Sequence, residues 1–232
     1  MEPTPEENLP RSLNHFALAT FKEGYWSLEA KARAGMQRQL LEALRGTAKK
    51  VDIYQATESG LDMIIWCALP VEDDLAPAAF FERFALAMAP FRPLLEIKDS
   101  LWGFTRPSQY SKAARSRQEI DPFAQERQPY LVIYPFSKTT EWFLMSREAR
   151  QGMMNEHIRI GKQYEAISQL LLYSVGLQNQ EFVVVYETPD LPRFSELVNE
   201  LRDTEARRYT LRDTPLHTAI YHTPEETLKI WK

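Results

Sequence analysis

A chain of 232 residues with 44% hydrophobic and 26% charged side chains and only 8 glycines can bury a core without disulfide or metal staples, and it is too apolar and too unrepetitive for disorder. Its net charge of −4 argues against a nucleic-acid surface, and the arginines of LRDTEARRYTLRD (201–213) alternate with Asp203, Glu205 and Asp213 as a mixed solvated face does. The lone Cys67, inside MIIWCAL, excludes an intrachain disulfide and reads as a buried, inert thiol in a reducing compartment.

The opening MEPTPEENLP is acidic and proline-rich, with neither the basic nor the apolar segment of a leader. No apolar run approaches the roughly 18 residues of a membrane span. The expectation is a cytoplasmic soluble protein with a flexible tail over 1–12. HFALATF (His15 to Phe21) is a β-rich run, followed by the helical YWSLEAKARAGM (Tyr25 to Met36). MIIW, from Met63, has the continuous apolar character of a strand buried on both faces. A second helix, AAFFERFALAM from Ala78, and a closing strand, SLWGFT, complete the first half. The polar stretch Ser111 to Pro129 shows little periodicity and reads as a linker or mobile loop.

The same order then returns. YLVIYPF (Tyr130 to Phe136) matches HFALATF, and EWFLMSREARQGMM (Glu141 to Met154) matches the first helix, with Trp142 on Trp26 and Leu144 on Leu28. Tyr54 and Tyr173 each precede an acidic residue by eight positions (Asp62, Glu181) and a proline by sixteen (Pro70, Pro189). FVVV is the counterpart of MIIW, and RFSELVNELRD and HTAIYH supply the last helix and strand. Strand, helix, strand, strand, helix, strand is a ferredoxin-like order. The fold class is therefore α+β: two tandem ferredoxin-like repeats, 13–110 and 130–232, joined by 111–129 and closing into one α+β barrel.

The repeat singles out His157. Four residues after Met36 stands Leu40, and four after the matching Met153 stands His157, so an apolar position in one copy is an imidazole in the other. His157 is then either a hydrogen-bonded or surface histidine, or a ligand. The other histidines are His15, His217 and His222, and no HExxH or CxxC is present. A site with one protein ligand points to haem, whose porphyrin fills four positions of the iron. Gly161, one turn on, would let a flat ring lie close, or would serve helix–sheet packing.

YPFSKTTEW followed by MMNEH, Gln169 seven residues before Gly176, and RDTEARRYTLRDTP together resemble the haem-binding half of the chlorite dismutase-like superfamily, over roughly Asp99 to Thr223. That superfamily includes chlorite dismutases and coproheme decarboxylases. The resemblance implies His157 as the axial metal ligand. It implies Glu205, ten residues before Pro215, as the carboxylate on the ligand's other ring nitrogen, where an ion pair with Arg208 or Arg202 is the alternative. Trp142 and Tyr110 fall on pocket aromatics, or are plain core residues.

Chlorite dismutases place an arginine on the helix after the ligand, and the corresponding slot here is Gln169. Coproheme decarboxylases carry a strand tyrosine in a Y-P-[MF]-x-[KR] segment, which Tyr134 to Lys138 fits. The implied activity is conversion of iron coproporphyrin III to haem b. With hydrogen peroxide as oxidant, Tyr134 would relay a radical to a propionate, Lys138 would act as propionate partner or proton shuttle, and Gln169 would bond peroxide or water. Arg106, Arg115, Arg117 and Arg208 are the candidate propionate cations. The distal histidine that actinobacterial decarboxylases carry before the tyrosine strand has no counterpart in 111–129. Chlorite dismutation and non-catalytic haem binding are the rival readings. The resemblance also implies a homo-oligomer, a ring pentamer.

Overall fold

The computed structural model describes residues 11–107, 109–110 and 116–232. Most of the expected tail, together with Ser108 and residues 111–115 of the expected linker, lies outside the described residues. The first repeat runs β1 (Ser12–Phe21), α1 (Glu23–Trp26), α2 (Ala30–Arg45), β2 (Lys50–Ala56), β3 (Met63–Pro70), α3 (Ala76–Met88) and β4 (Leu95–Thr105). The second runs β5 (Tyr130–Lys138), α4 (Thr140–Leu144), α5 (Arg147–Gly161), β6 (Ser168–Tyr173), β7 (Phe182–Thr188), α6 (Leu191–Arg202), β8 (Thr210–Arg212), β9 (His217–Tyr221) and α7 (Pro224–Lys229).

In both repeats the expected first helix is split in two. Met145 and Ser146 explain the second break: the extended backbone of Met145 stops α4, and the hydroxyl of Ser146 accepts from Ala149 N to cap α5.

The sheet order is β7-β6-β4-β1-β3-β2-β9-β5-β8, and β7 also pairs with β5, so eight strands close into a ring and β8 hangs on β5. Closure removes the exposed edges that an open sheet would present. Two seams join the repeats: β2 to β9, with Tyr54 opposite Tyr221, and β4 to β6, with Phe104 opposite Tyr173. At the second seam Gly103 is required by space, because a Cβ there would lie 2.7 Å from both Ser174 Oγ and Tyr173 O.

Alternation along each strand builds two kinds of core. Inward residues, among them Phe16, Ile64, Leu131, Leu172 and Val185, fill the barrel. Outward residues of the first repeat, including Phe21, Met63 and Ile65, meet α2 and α3 through Leu40, Leu44 and Phe80. The second repeat has a smaller outer core, where Val132, Val184 and Tyr186 meet Phe194 and Leu197 of α6.

The stretch expected as a linker or mobile loop is held to the barrel at several residues, most deeply at Arg127. Arg127 inserts its guanidinium beside the barrel core, 1% exposed, with Nε donating to Asp52 Oδ2 at 2.9 Å. Nη1 and Nη2 donate to the carbonyls of Asp121 and Pro122 at 2.9 and 2.7 Å, and Nη1 lies 3.5 Å from Glu187 Oε1. The plane stacks over Trp66 at 4.2 Å. Removing the cation would leave Glu187 without its cation and Asp52 with only Lys50, at 3.4 Å, so Arg127→Ala should destabilise the fold by about 3–5 kcal/mol, read from urea unfolding. A loss under about 1 kcal/mol would mean that Asp52 and Glu187 are reached by water.

Candidate functional site

Three strands of the second repeat present one face to α5. Directly opposed residues share a face, so Val132, Tyr186 and Gln169 form one row, Tyr134, Val184 and Leu171 the next, and Phe136, Phe182 and Tyr173 the third. Lys138 follows two residues beyond Phe136 on the same side of β5. This grid is mostly apolar and only partly covered: Leu171 is 36% exposed, and Gln169 is also exposed.

The covering helix is the unusual element. In the first repeat α2 buries Met36, Gln37, Leu40, Leu41 and Leu44, whereas no residue of α5 is fully buried. Each fully buried leucine is worth roughly 1.5–3 kcal/mol, so α5 forgoes most of the packing that holds its counterpart down. Met153, Met154, His157, Ile158 and Ile160 are all half-covered. The helix rests on α6 and on the 3-10 turn Glu205–Tyr209, and Gln118 ties down its C-terminal end by donating to the carbonyls of Gly161, Tyr164 and Ile167.

His157 is held neutral. Burial first, then the nearby Lys138 cation, push its pKa down to about 4 against the opposing pull of Glu156. Its Nδ1 is buried and meets no hydrogen-bond partner among the described residues. Lys138 is itself pushed down to about 8, by burial and then by Arg207, with Glu181 opposing. Its Nζ donates to Ala206 O and Thr210 Oγ1 at 3.3 and 3.2 Å and sits 4.5 Å over the Trp142 ring. Trp142 is buried, and its ring meets Tyr110 at 6.5 Å and Tyr209 at 6.1 Å. Tyr134 is raised well above the ordinary phenol value, by burial first and by Tyr186 second, and its phenol also senses Asp213 and Arg202.

The structure thus brings Tyr134, Lys138, Trp142, Tyr110 and His157 to one region, and it departs from the expectations at Gln169, at Glu205 and at the candidate arginines. Gln169 stands on strand β6, not on a helix, where its backbone pairs with Gln118 and Ile120. Glu205 does not reach the His157 ring; its carboxylate lies 3.4 Å from Arg208 Nε, both side chains are more than half exposed, and the contact is the alternative ion pair. Glu156 instead reaches the turn, accepting from Glu205 N at 3.3 Å. Arg208 is occupied by that pair, Arg117 is exposed, Arg106 covers the Tyr173 ring at 5.1 Å, and Arg115 lies outside the described residues.

Two other cations lie by the site, Arg202 near Tyr134 and Arg207 near Lys138, both on Asp213 at 3.8 and 2.7 Å. Their interleaved acids made them read as a solvated face, and only the strand return of β8 shows where they point.

The donor set fits an iron porphyrin. A neutral imidazole lies near Lys138, on the side of the second repeat where a mostly apolar sheet face is only partly covered. Among the described residues no three His, Cys, Asp or Glu side chains converge as a bare metal ion would need.

The family description "Chlorite dismutase" matches residues 26–222, from the end of α1 to just past β9. The chain belongs to the chlorite dismutase family. Among curated relatives, the coproheme decarboxylase of Mycolicibacterium smegmatis is 31% identical over 127 residues, covering 53% of this chain and 53% of that protein. The coproheme decarboxylase of Staphylococcus carnosus is 28% identical over 192 residues, covering 76% and 74%. The match thus spans about half the length of the first of these relatives and about three quarters of the second. Among solved structures, a chlorite dismutase variant from Candidatus Nitrospira defluvii, in complex with cyanide, superposes with a TM-score of 0.80 at 20% identity over 95% of this chain and 94% of that one. That similarity places the barrel in the chlorite dismutase-like fold. No helix among the described residues is long and apolar enough to cross a membrane.

A depressed histidine pKa has a definite sign for stability. The unfolded chain takes up a proton near pH 6.5 and the folded chain only near 4, so each such histidine favours unfolding as pH falls through that window. His15, buried against Phe80, Phe81 and Phe84, is lowered to about 4 in the same way. The melting temperature of the protein without added porphyrin should therefore drop between pH 6.5 and 4, and His157→Leu should shallow that slope while leaving the His15 contribution. An unchanged slope in the variant would show that His157 is not held neutral.

Proposed function

We propose that this chain is a peroxide-dependent coproheme decarboxylase that converts iron coproporphyrin III, its substrate and redox centre, to haem b. The observation that carries the reading is the incomplete cover of the second repeat: α5 buries none of its residues fully, leaves Leu171 and Gln169 of the sheet exposed, and carries a neutral histidine near Lys138 of the strand that also bears Tyr134. The family and the two relatives named coproheme decarboxylase support it.

His157 would hold the iron through its imidazole, whose Nδ1 is buried in the protein. The bound iron porphyrin supplies the oxidising equivalents from peroxide. Tyr134 would relay one of them as a phenoxyl radical, taking a hydrogen atom from the β-carbon of a propionate and regaining its own O–H. With a second electron removed, that propionate loses carbon dioxide and becomes a vinyl group. Lys138, held near a pKa of 8, can both pair with a carboxylate and release a proton close to neutrality. Trp142 closes the end of the cleft beside Lys138, and Tyr110 packs on it. Gln169 is neutral at the position where chlorite dismutases carry a cation, so it can hydrogen-bond peroxide without holding a chlorine oxyanion. Residues 13–110 and 130–232 act as the two repeats of one subunit, and a ring pentamer is the assembly to test by sedimentation.

Titration of the purified protein with iron coproporphyrin III, addition of peroxide and mass spectrometry of the porphyrin should show stepwise loss of two carboxyl groups. Oxygen release from chlorite with no such loss would replace this reading with chlorite dismutation. Tyr134→Phe should bind the porphyrin and fail to turn it over, and turnover at the normal rate would remove Tyr134 from the relay.

A further inference from the structure

The inward stripe of α5 carries a cation as well as the imidazole. Along this helix the half-covered positions include Arg150, Met153, Met154, His157 and Gly161, at the spacing of one helical face, while Glu148, Ala149, Gly152, Asn155 and Arg159 are exposed on the other. Arg150 and His157 are seven residues apart, two turns or about 10 Å along the axis. Neighbouring contacts fix what this stretch of helix meets: Gln151 donates to Tyr110 O at 3.1 Å, the Tyr110 ring packs on Trp142, and Lys138 Nζ lies 4.5 Å over that indole.

The repeat gives Arg150 a counterpart. ARAGM (Ala32 to Met36) returns as ARQGM (Ala149 to Met153), so Arg33 and Arg150 hold one position. Both Nε atoms are buried without a partner, but the rest of the Arg33 side chain is engaged, with Nη1 donating to Trp26 O at 3.5 Å and the guanidinium 6.0 Å over the Tyr25 ring. In the second repeat the exposed Glu141 takes the place of Tyr25, and the Arg150 guanidinium has no hydrogen bond, ion pair or ring contact among the described residues. A guanidinium stays charged throughout the working pH range, and burying part of it unpaired is costly. Its planar fork of donors matches a carboxylate.

We propose that Arg150 is a binding residue whose guanidinium takes one carboxylate of the porphyrin that His157 holds by its iron. The inference rests on the reading of the partly covered face of the second repeat as the porphyrin site. Two turns of helix are comparable with the reach from the centre of a porphyrin to a side-chain carboxylate at its rim, so one helix fixes both the metal and the edge of the ring. The carboxylate is then the partner that Tyr25 and Trp26 supply to Arg33 in the first repeat.

Metal-free coproporphyrin III and its tetramethyl ester separate a charge contact from a structural role without calling on the iron or on turnover. In fluorescence titrations Arg150→Gln should weaken binding of the tetracarboxylate about tenfold or more and leave the ester within about twofold, and Arg150→Lys should restore part of the loss. An unpaired buried cation contributes nothing to the protein without porphyrin, so there Arg150→Gln should melt at or above the wild-type temperature. Equal losses for the two porphyrins with a melting temperature lowered by several degrees would make Arg150 a structural residue and overturn the proposal. An unchanged affinity for the tetracarboxylate would overturn it too, as would a wild-type chain that binds no tetracarboxylate. If the tetracarboxylate binds in this Arg150-dependent way but iron coproporphyrin III with peroxide releases no carbon dioxide, the decarboxylase reading falls and the carboxylate contact stands.

Discussion

Everything on the outside of this molecule depends on a barrel that cannot come apart into its two repeats, and one buried cation secures that closure. Arg127 comes from the connection, binds Asp52 of β2 in the first repeat, approaches Glu187 of β7 in the second and stacks over Trp66 of β3. A guanidinium suits the place because its donors fan out in a plane, reaching a carboxylate and two carbonyls while its face covers an indole. Two carboxylates in that interior would repel each other without it, and burial already pushes the Glu187 carboxyl upward. The pair of hydrogen-bonded seams and this ion cluster together fix the angle at which the second sheet presents its outer face.

On that rigid base the two halves divide their tasks. The first packs α2 and α3 onto its sheet with leucine and phenylalanine. The second packs α6 in the same manner and leaves α5 half-covered over tyrosine, phenylalanine and lysine. Strand β5 serves both interiors at once: Leu131 and Ile133 point into the barrel, and Tyr134 and Phe136 point out to the cleft. A residue of the site therefore has an immediate neighbour in the barrel core, and its orientation is set by the register of pairing with β7 more than by anything on the surface.

Much of this was legible in the sequence because it was written there twice. The continuous apolar runs MIIW and FVVV marked the doubly buried strands, and the comparison of Leu40 with His157 singled out the histidine on the helix that buries none of its residues fully. What was not legible depends on long-range placement. Arg127 looked like part of a polar loop, since burial of an arginine is decided by partners 75 residues away in Asp52 and 60 away in Glu187. Glu205 looked like a partner for His157 because spacing along the chain suggested it, yet the 3-10 turn directs its carboxylate to Arg208. Gln169 was placed by counting from Gly176, which gave the position but not that it sits on a strand. The short β8 and the C-terminal α7, capped by Thr223 and Glu226, carried too few residues for a periodic signal.

The half-covered helix has a further meaning for how this protein reaches its finished state. A helix with few buried contacts sits at the low end of the stability scale and opens locally at small free-energy cost. The flat molecule that fits beneath α5 would then supply the apolar surface that the amino-acid sequence withholds, as a removable piece of the hydrophobic core. On the proposed function, entry of the substrate would complete the packing of the second half, and departure of the product would loosen it again. Turnover and the last step of folding would on this view be one equilibrium, driven forward by a guest that the protein alters before releasing it.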